Sequence, residues 1–306
     1  MVTRLFAAYT VHIEENNLSL VSTVNSSSPL KIDLHSHTRH SDGHLTPEEI
    51  VQRAHTMQVD VLAITDHDTV AGIAPALRYQ QRQKRPLNLI AGIELSTRWH
   101  AFDIHIIGLN IDPTDSAFQS RLACQHETRR ARAANIARKL GLCGFDEAAE
   151  QAIDSAQGGQ VTRSHFAKAL VSAGIVKDNV QAFKQYLGKG KRAYVAAQWI
   201  SIQEAITWIK EAGGQAVLAH PSHYDMATKW LRRLVSEFAL AGGHGIELSY
   251  PNLTKEKQAL LIEMARSAEL MGSSGSDFHF PSRWTELGRR STLPDDITPI
   301  WHDWNL

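Results

Sequence analysis

Cysteine is scarce in this chain of 306 residues, which carries only Cys124 and Cys143. Two thiols without zinc-finger spacing cannot make a disulfide scaffold, and they fit a protein of the reducing cytoplasm. Net charge is lacking too, because 32 Lys and Arg balance 32 Asp and Glu. That balance excludes a global electrostatic footprint for long nucleic acid or an anionic membrane, but not a local site for a nucleic-acid fragment. No apolar run approaches the length of a membrane span. Residues 1–29 have neither a long apolar core nor a small-residue cleavage pattern, so they read as a poorly ordered extension rather than a signal peptide.

The one excess is histidine, at sixteen residues. The densest stretch is Lys31 to Asp68, KIDLHSHTRHSDGHLTPEEIVQRAHTMQVDVLAITDHD. An apolar run at Ile32 to Leu34 ends in His35-Ser36-His37, and alternate residues of a strand share a face, so both imidazoles aim at one place. Asp42 follows on a Gly-containing loop, and a second run, Val61 to Ile64, ends in Asp66-His67-Asp68. A lone His is ordinarily a satisfied core or surface side chain. Two strands that both end in His and Asp, joined by one helix, instead match a metal site at the ends of parallel strands.

The remaining chain follows an alternating rhythm with one interruption. Thr46-Pro47-Glu48-Glu49 is a capping box with Pro at the first helical position. Asp68 is read equally as the cap of a helix through Val70, Ile73, Ala74 and Leu77, or as a support for the site. Leu87 to Ile93 reads as a strand ending at Glu94, and Phe102 to Leu109 as a strand carrying His105. Residues 115–191 then show helical patterns without strands: an Arg-rich helix over Ser116 to Leu140, a helix over Phe145 to Ala156, one capped by Thr162, and one over Asn179 to Leu187. Strands resume at Gln215 to Ala219 before His220, at Gly245 to Leu248, and at Met271 to Ser276 before Asp277-Phe278-His279. Trp284, Trp301 and Trp304 are expected to pack the C-terminal tail against the body. Seven strands, nearly all followed by helices, predict an α/β fold: a distorted β/α barrel from residues 30–114 and 192–306, with 115–191 inserted as a helical subdomain.

The donors at the strand ends are His35, His37, Asp42, His67, Glu94, His105, His220, Asp277 and His279. They exceed the needs of one ion and suit two or three if Glu94 bridges. The absence of Cys among them favours manganese, zinc or iron. Neighbouring divalent ions favour phosphoester hydrolysis, by activating water and neutralising phosphoryl charge.

The motifs HSH, DG, TDHD, GIE, IHIIG, AHP and SDFH, in this order between Lys31 and Arg290, resemble the polymerase-and-histidinol-phosphatase (PHP) family of metal-dependent phosphoesterases. The resemblance implies a distorted seven-stranded TIM-like barrel with two to three divalent ions, manganese first. It implies His35, His37, Glu94 and Asp277 around one ion, Glu94, His105 and His220 around a second, and Asp42, His67 and His279 around a third. The order TRSHFA, GKRAYV, AHPSHYD and GSDFH is similar to the subgroup that removes the 3′-phosphate of nucleoside 3′,5′-bisphosphates and trims short 5′-phosphorylated RNA from its 5′ end. One departure is His223, where the subgroup pattern has Arg; a titratable group replaces a permanent cation.

Two substrate phosphates require further cations. Arg163 follows the Thr162 cap at a helix N-terminus, where anions bind. Lys189, Lys191 and Arg192 sit in a Gly-containing loop before a strand-like Ala193-Tyr194-Val195. Arg129, Arg130 and Arg132 read first as a solvated helix face, with Arg129 and Arg130 retained as further phosphate contacts. His165 and His223 are the expected leaving-group proton donors. His12, His40, His44, His55, His100, His126, His244 and His302 are assigned structural places, with His40 and His44 the first exceptions. The partners expected are therefore nucleotide bisphosphates and short RNA, with no membrane and no obligate protein partner. A histidinol-phosphatase-like or general phosphatase is the alternative, and it leaves the insertion unexplained. A non-catalytic metal-binding module would require an eroded ligand set.

Overall fold

The computed structural model describes residues 30–289 and 292–306, so the expected extension at 1–29 and His12 lie outside the described residues. In the barrel's first half, β1 (Ile32–Asp33) leads to α1 (Pro47–Thr56), β2 (Val61–Ile64), α2 (Ile73–Gln80), β3 (Asn88–Trp99) and β4 (Phe102–Leu109). The insertion comprises α3 (Ser116–Gly141), α4 (Asp146–Ser155), α5 (Arg163–Ser172) and α6 (Asn179–Ala182), the last running into a π-helical turn, Phe183–Leu187. The second half is β5 (Ile200–Ser201), α7 (Ile202–Glu211), β6 (Gln215–Leu218), a 3₁₀ turn (Pro221–His223), α8 (Thr228–Leu240), β7 (Gly245–Ser249), α9 (Lys255–Ser267) and β8 (Met271–Ser274).

Local chemistry sets these elements. Thr46 and Glu49 exchange both capping-box hydrogen bonds at the start of α1, and Ser201 with Glu204 does the same for α7. The four residues of β2 are all buried apolar groups, as a parallel strand covered on both faces demands. The sheet runs β1-β2-β3-β4-β6-β7-β8. Pairings are parallel except β3 with β4 and β4 with β6. The Leu34 N–H donates to Ser274 O at 3.0 Å and the His37 N–H to Phe278 O at 2.8 Å, which brings the last strand back to the first. The result is a distorted seven-stranded barrel, with β5 added beside the outer part of β3.

The barrel core includes Ile93, Ile104, Ile106, Ile206, Leu218 and Phe238. A separate cluster, including Ile136, Leu140, Phe166 and Leu170, holds the insertion together. Helix α3 belongs to both, because Phe118 and Leu122 near its start pack with the barrel. No helix among the described residues is long and apolar enough to cross a membrane.

Several expectations are corrected. Strand β3 does not stop at Glu94 but continues to Trp99, because antiparallel pairing with β4 extends through Trp99 and Phe102. Ala193-Tyr194-Val195 forms no strand. Trp301 and Trp304 do pack on the body, where Trp304 Nε1 donates to Gln215 Oε1 at 2.7 Å, but Trp284 is 69% exposed. Asp68 caps no helix, since α2 begins five residues later after Gly72. Instead Asp68, in the left-handed region at φ 53°, turns its carboxylate onto the buried Arg129 guanidinium and accepts the Ser96 N–H at 2.7 Å. Gln125 and His126 complete this contact, donating to Ser96 O at 2.7 Å and to Asp68 O at 2.6 Å.

The pairing makes a quantitative distinction testable. Loss of a helix cap costs about 1 kcal/mol, whereas a buried guanidinium stripped of its carboxylate costs about 3–5 kcal/mol. Asp68→Asn, which tolerates the same backbone conformation, should fall in the larger range in denaturant unfolding. A loss near the cap value would contradict the buried pair.

Candidate metal centre and its flanking pockets

The expected donors converge at one end of the barrel. His35 and His37 follow β1, His67 follows β2, Glu94 and His105 lie on β3 and β4, His220 follows β6, and Asp277 with His279 follows β8. Two backbones are forced there: His220 (φ 27°) and Asp277 (φ 48°) adopt positive φ, a conformation that non-glycine residues hold only when their surroundings impose it. Close approach explains two glycines. A Cβ on Gly43 would lie 2.2 Å from His37 O, and one on Gly275 would lie 2.3 Å from His35 Cβ.

Glu94 is the centre. Its Oε1 lies 2.9 Å from His105 Nδ1 and 2.9 Å from His220 Nε2. Its Oε2 lies 2.9 Å from His67 Nδ1, 3.4 Å from His37 Nε2 and 3.5 Å from His35 Nε2. Asp277 Oδ1 stands 3.2 Å from His37 Nε2, and Asp42 Oδ1 stands 3.2 Å from His279 Nε2. Donor atoms gather into three overlapping groups: His37, Asp42, His67 and His279; His35, His37 and Glu94; His67, Glu94 and His105.

Electrostatics make this set suited to cations. Burial alone would raise the carboxyl of Glu94, but His67, His105 and His35 overcome it and hold the group well below the ordinary range. Asp42 is held down in the same way by His279 and His67, and Asp277 by His35 and His279. Burial, and then His279, depresses His37 to about 4, which leaves a neutral imidazole with a free lone pair. Asp42 Oδ1, Glu94 Oε2 and His67 Nδ1 are buried without a hydrogen-bond partner. The approach of His67 to Glu94 at 2.9 Å therefore lacks hydrogen-bond geometry. Buried polar atoms left unpaired are costly, and nitrogen and oxygen donors of this kind are satisfied by divalent ions. The residues present fit a multinuclear metal centre.

Supporting groups surround the donors, and several escape sequence reasoning. Glu247, buried on β7, stands 3.0 Å from His35 Nδ1 and accepts the His220 backbone N–H at 2.6 Å, fixing the ring of one and the backbone of the other. A Glu between Ile246 and Leu248 in an apolar strand was the available signal. Asp33 accepts the Ser276 and Gly288 N–H groups at 2.8 and 2.7 Å, tying β1 to the loop of Asp277. Asp66 accepts from the Thr38 and Ser41 hydroxyls, both at 2.6 Å, and so shapes the loop to Asp42. The insertion reaches the same loop: Thr162 Oγ1 donates to Asp42 Oδ2 at 3.0 Å.

The expected phosphate contacts divide. Arg163 lines a cavity of about 110 Å³ together with Asp42, His67, His105 and Arg129. Arg129 and Arg132 also line it, so this part of α3 is no solvated face; Trp199 lies under both, its ring centre 4.9 and 5.2 Å from their guanidinium carbons. Burial, and then Arg163, lowers Arg132 to about 10, and its buried Nη2 has no hydrogen-bond partner. Trp199 gave no sequence signal, because only folding sets it beneath α3. Arg130 is not brought to the cavity: its side chain is 72% exposed beside Glu127. Lys189, Lys191 and Arg192 are exposed and do not line it either, although Phe183 at the start of the preceding π-helical turn does.

The two expected proton donors occupy other environments. His165 Nδ1 accepts the Thr162 N–H at 3.1 Å as part of a capping box, and burial depresses its pKa to about 4. A neutral ring so engaged is a cap, not a reservoir of protons near neutral pH. His223 stacks on His220 with ring centres 5.3 Å apart; burial, and then His220, lowers its pKa. His126 and His244 take the structural places expected, the latter accepting the Ala216 N–H at 2.9 Å.

Comparison with known proteins agrees with this geometry. The profile of the family described as PHP domain matches residues 33–216. The chain is 47% identical over 272 residues to a 5′-3′ exoribonuclease Rnm of Escherichia coli, covering 89% of this chain and 93% of that protein. It is 39% identical over 276 residues to a 3′,5′-nucleoside bisphosphate phosphatase of Chromobacterium violaceum, covering 89% and 95%. A solved structure of an amidohydrolase from Chromobacterium violaceum with bound sulfate and no metal superposes with TM-score 0.83 at 39% identity, over 89% of this chain and 94% of that one.

Two measurements follow from the site. Because Glu94 belongs to two of the three donor groups, reconstituted protein should carry more than one divalent ion per chain by elemental analysis, and Glu94→Gln should empty two positions together. One ion or fewer in active protein would contradict the shared carboxylate. For His165, the folded pKa of about 4 lies below the unfolded 6.5, so the unfolded chain gains its proton first as pH falls. Its contribution is complete above the unfolded value and disappears as pH falls through the folded one, up to about 3 kcal/mol. His165→Gln keeps a capping acceptor that does not titrate. It should remove this part of the pH dependence of unfolding, and an unaltered profile would contradict the depressed pKa.

Proposed function

The chain belongs to the PHP family, and from that premise we propose that it is a metal-dependent phosphoesterase that converts nucleoside 3′,5′-bisphosphates to 5′-monophosphates and trims short 5′-phosphorylated RNA from the 5′ end by the same reaction. The observation that carries this reading is the cationic cavity beside the donors, where Arg132 and Arg163 share one carboxylate, Asp103 Oδ2 at 3.6 and 3.7 Å, and the buried Nη2 of Arg132 makes no hydrogen bond. Two guanidiniums that face a single carboxylate leave positive charge in excess, which invites an anion. Relatives named as a bisphosphate phosphatase and an exoribonuclease support it.

The donor set would hold two to three divalent ions, manganese first with zinc or iron as alternatives. We place His35, His37, Glu94 and Asp277 around one, Glu94, His105 and His220 around a second, and Asp42, His67 and His279 around a third. The chemistry such ions supply when bound is activation of water and neutralisation of phosphoryl charge. The protein's own part is position. Glu247 and Asp66 keep the donors in register. Arg163 and Arg132 hold the substrate's 5′-phosphate, and Trp199 supports Arg132 from below as Phe183 does Arg163. Anchored there, the substrate presents its 3′-phosphorus to the donors. Water oxygen joins that phosphorus, the bond to O3′ breaks, and O3′ leaves with a proton. In a bisphosphate the products are phosphate and a 5′-mononucleotide. In RNA the leaving nucleotide is the same and the shortened chain keeps a 5′-phosphate, ready for another round. His223, neutral near pH 7, offers an N–H to substrate rather than the fixed charge of an Arg.

The anchor's binding energy positions the reacting phosphorus. Removing the 5′-phosphate should lower kcat/KM by about two orders of magnitude, the loss of about 3 kcal/mol of charge-assisted contacts. Arg163→Ala should erase most of that discrimination with metal content unchanged. Equal rates on 5′-hydroxyl and 5′-phosphoryl substrates would remove the anchor and leave a general phosphatase.

A further inference from the structure

A second cavity, of about 320 Å³, lies on the other side of the Asp42 loop from the arginine cavity. Its walls are Arg39, Ser41, Gly43 and His44 of that loop and the facing parts of α4 and α5. Arg39, His44, His165 and Lys168 line it, with Gln151 and Ser172 among its neutral groups, and no lining residue carries a carboxylate. In a chain whose charges balance overall, a cleft with basic groups and no acid is a local anion surface. None of the reaction steps above uses it.

An independent feature adjoins this cleft. Phe280, immediately after His279, is 44% exposed and stacks on the exposed His44 with ring centres 4.8 Å apart and planes at 23°. The His44 N–H donates to His279 O at 2.7 Å, so this aromatic step is fastened to the donor loop. Exposed rings beside a cationic groove are how proteins hold single-stranded nucleic acid: bases stack on the rings while the backbone follows the charge.

We propose that single-stranded RNA on the 3′ side of the scissile linkage crosses the His44–Phe280 step and lays its backbone phosphates in the cleft of Arg39 and Lys168. The inference rests on the functional reading above. It follows the geometry of the substrate: the reacting phosphorus carries the leaving nucleotide on one side and the rest of the RNA on the other. With the 5′ nucleotide in the arginine cavity, the remaining chain must depart elsewhere, and this cleft shares the Asp42 loop. A nucleoside bisphosphate has no such chain and makes no use of the cleft. The structure thereby separates two substrates that share one centre.

The test compares hydrolysis of a nucleoside 3′,5′-bisphosphate with that of 5′-phosphorylated RNA of two, three and five nucleotides, using the metal-loaded protein. Arg39→Gln removes a cation, and Gln151→Glu, on the exposed face of α4, adds a negative charge far from the donors in sequence. Each should leave the bisphosphate reaction within about twofold and lower kcat/KM for the five-nucleotide RNA about tenfold, chiefly through KM. Phe280→Ala should lower it similarly, by loss of stacking. Equal losses on both substrates, or none on either, would overturn the proposal. A second arm measures binding by fluorescence anisotropy, using labelled five-nucleotide RNA and protein without added metal. The slope of log Kd against log salt should fall by about 0.7 for each cation removed. An unaltered slope, or equal competition by inorganic phosphate at the same concentration, would show an anion site without an RNA track. Should the wild-type chain hydrolyse neither substrate while cleft-dependent RNA binding persists, the functional reading fails and the cleft stands.

Discussion

Glu94 is the constraint on which the molecule turns. A carboxylate with no solvent exposure is surrounded by His35, His37, His67, His105 and His220. Burying it is costly unless positive charge arrives, from protonated imidazoles or from cations. The neighbouring Asp42 and Asp277 add further negative charge, and the lowered pKa of His37 removes one imidazole from the supply. Divalent ions answer the whole demand at once. The same excess of inward-facing donors that makes the arrangement expensive suits it to divalent cations.

The scaffold exists to hold that arrangement still. Strand ends carry the donors, buried carboxylates behind them hold the His35 ring and the donor loops, and close-packed glycines let those loops meet. The insertion is part of this frame rather than an ornament. Asp68 and Arg129 lock α3 to the end of β2, and Thr162 hydrogen-bonds a donor carboxylate. These contacts put Arg132 and Arg163 on one side of the Asp42 loop and Lys168 on the other.

Much of this was legible because it obeys short-range rules. His35 and His37 share a face by the strand period, and Thr46 with Glu49 announces a helix start. Apolar runs ending in donors gave the barrel and its catalytic end. What was not legible depended on partners distant in sequence. For Asp68 the cap reading stood level with a supporting role because a cap needs only its neighbours, whereas its partner, Arg129, lies 61 residues away. Arg129 and Arg132 looked solvated because the middle of α3, from Gln125 to Arg130, is polar on every side, and only docking decides which side is buried. The extra length of β3 came from its hairpin with β4, and Trp199 matters through tertiary placement alone. The loop at Lys189 differs: Gly and three cations form a local phosphate-binding pattern, yet its exposed side chains do not line the arginine cavity.

The central claim, cleavage between the 3′-phosphorus and O3′ with the 5′-phosphate left intact, is tested most directly by one isotope measurement. A nucleoside 3′,5′-bisphosphate is hydrolysed by the metal-loaded protein in ¹⁸O-labelled water, and both products are weighed by mass spectrometry. The account predicts a single ¹⁸O in the released phosphate and an unlabelled nucleoside 5′-monophosphate. A nucleoside 3′-monophosphate, or label in the nucleotide, would contradict it.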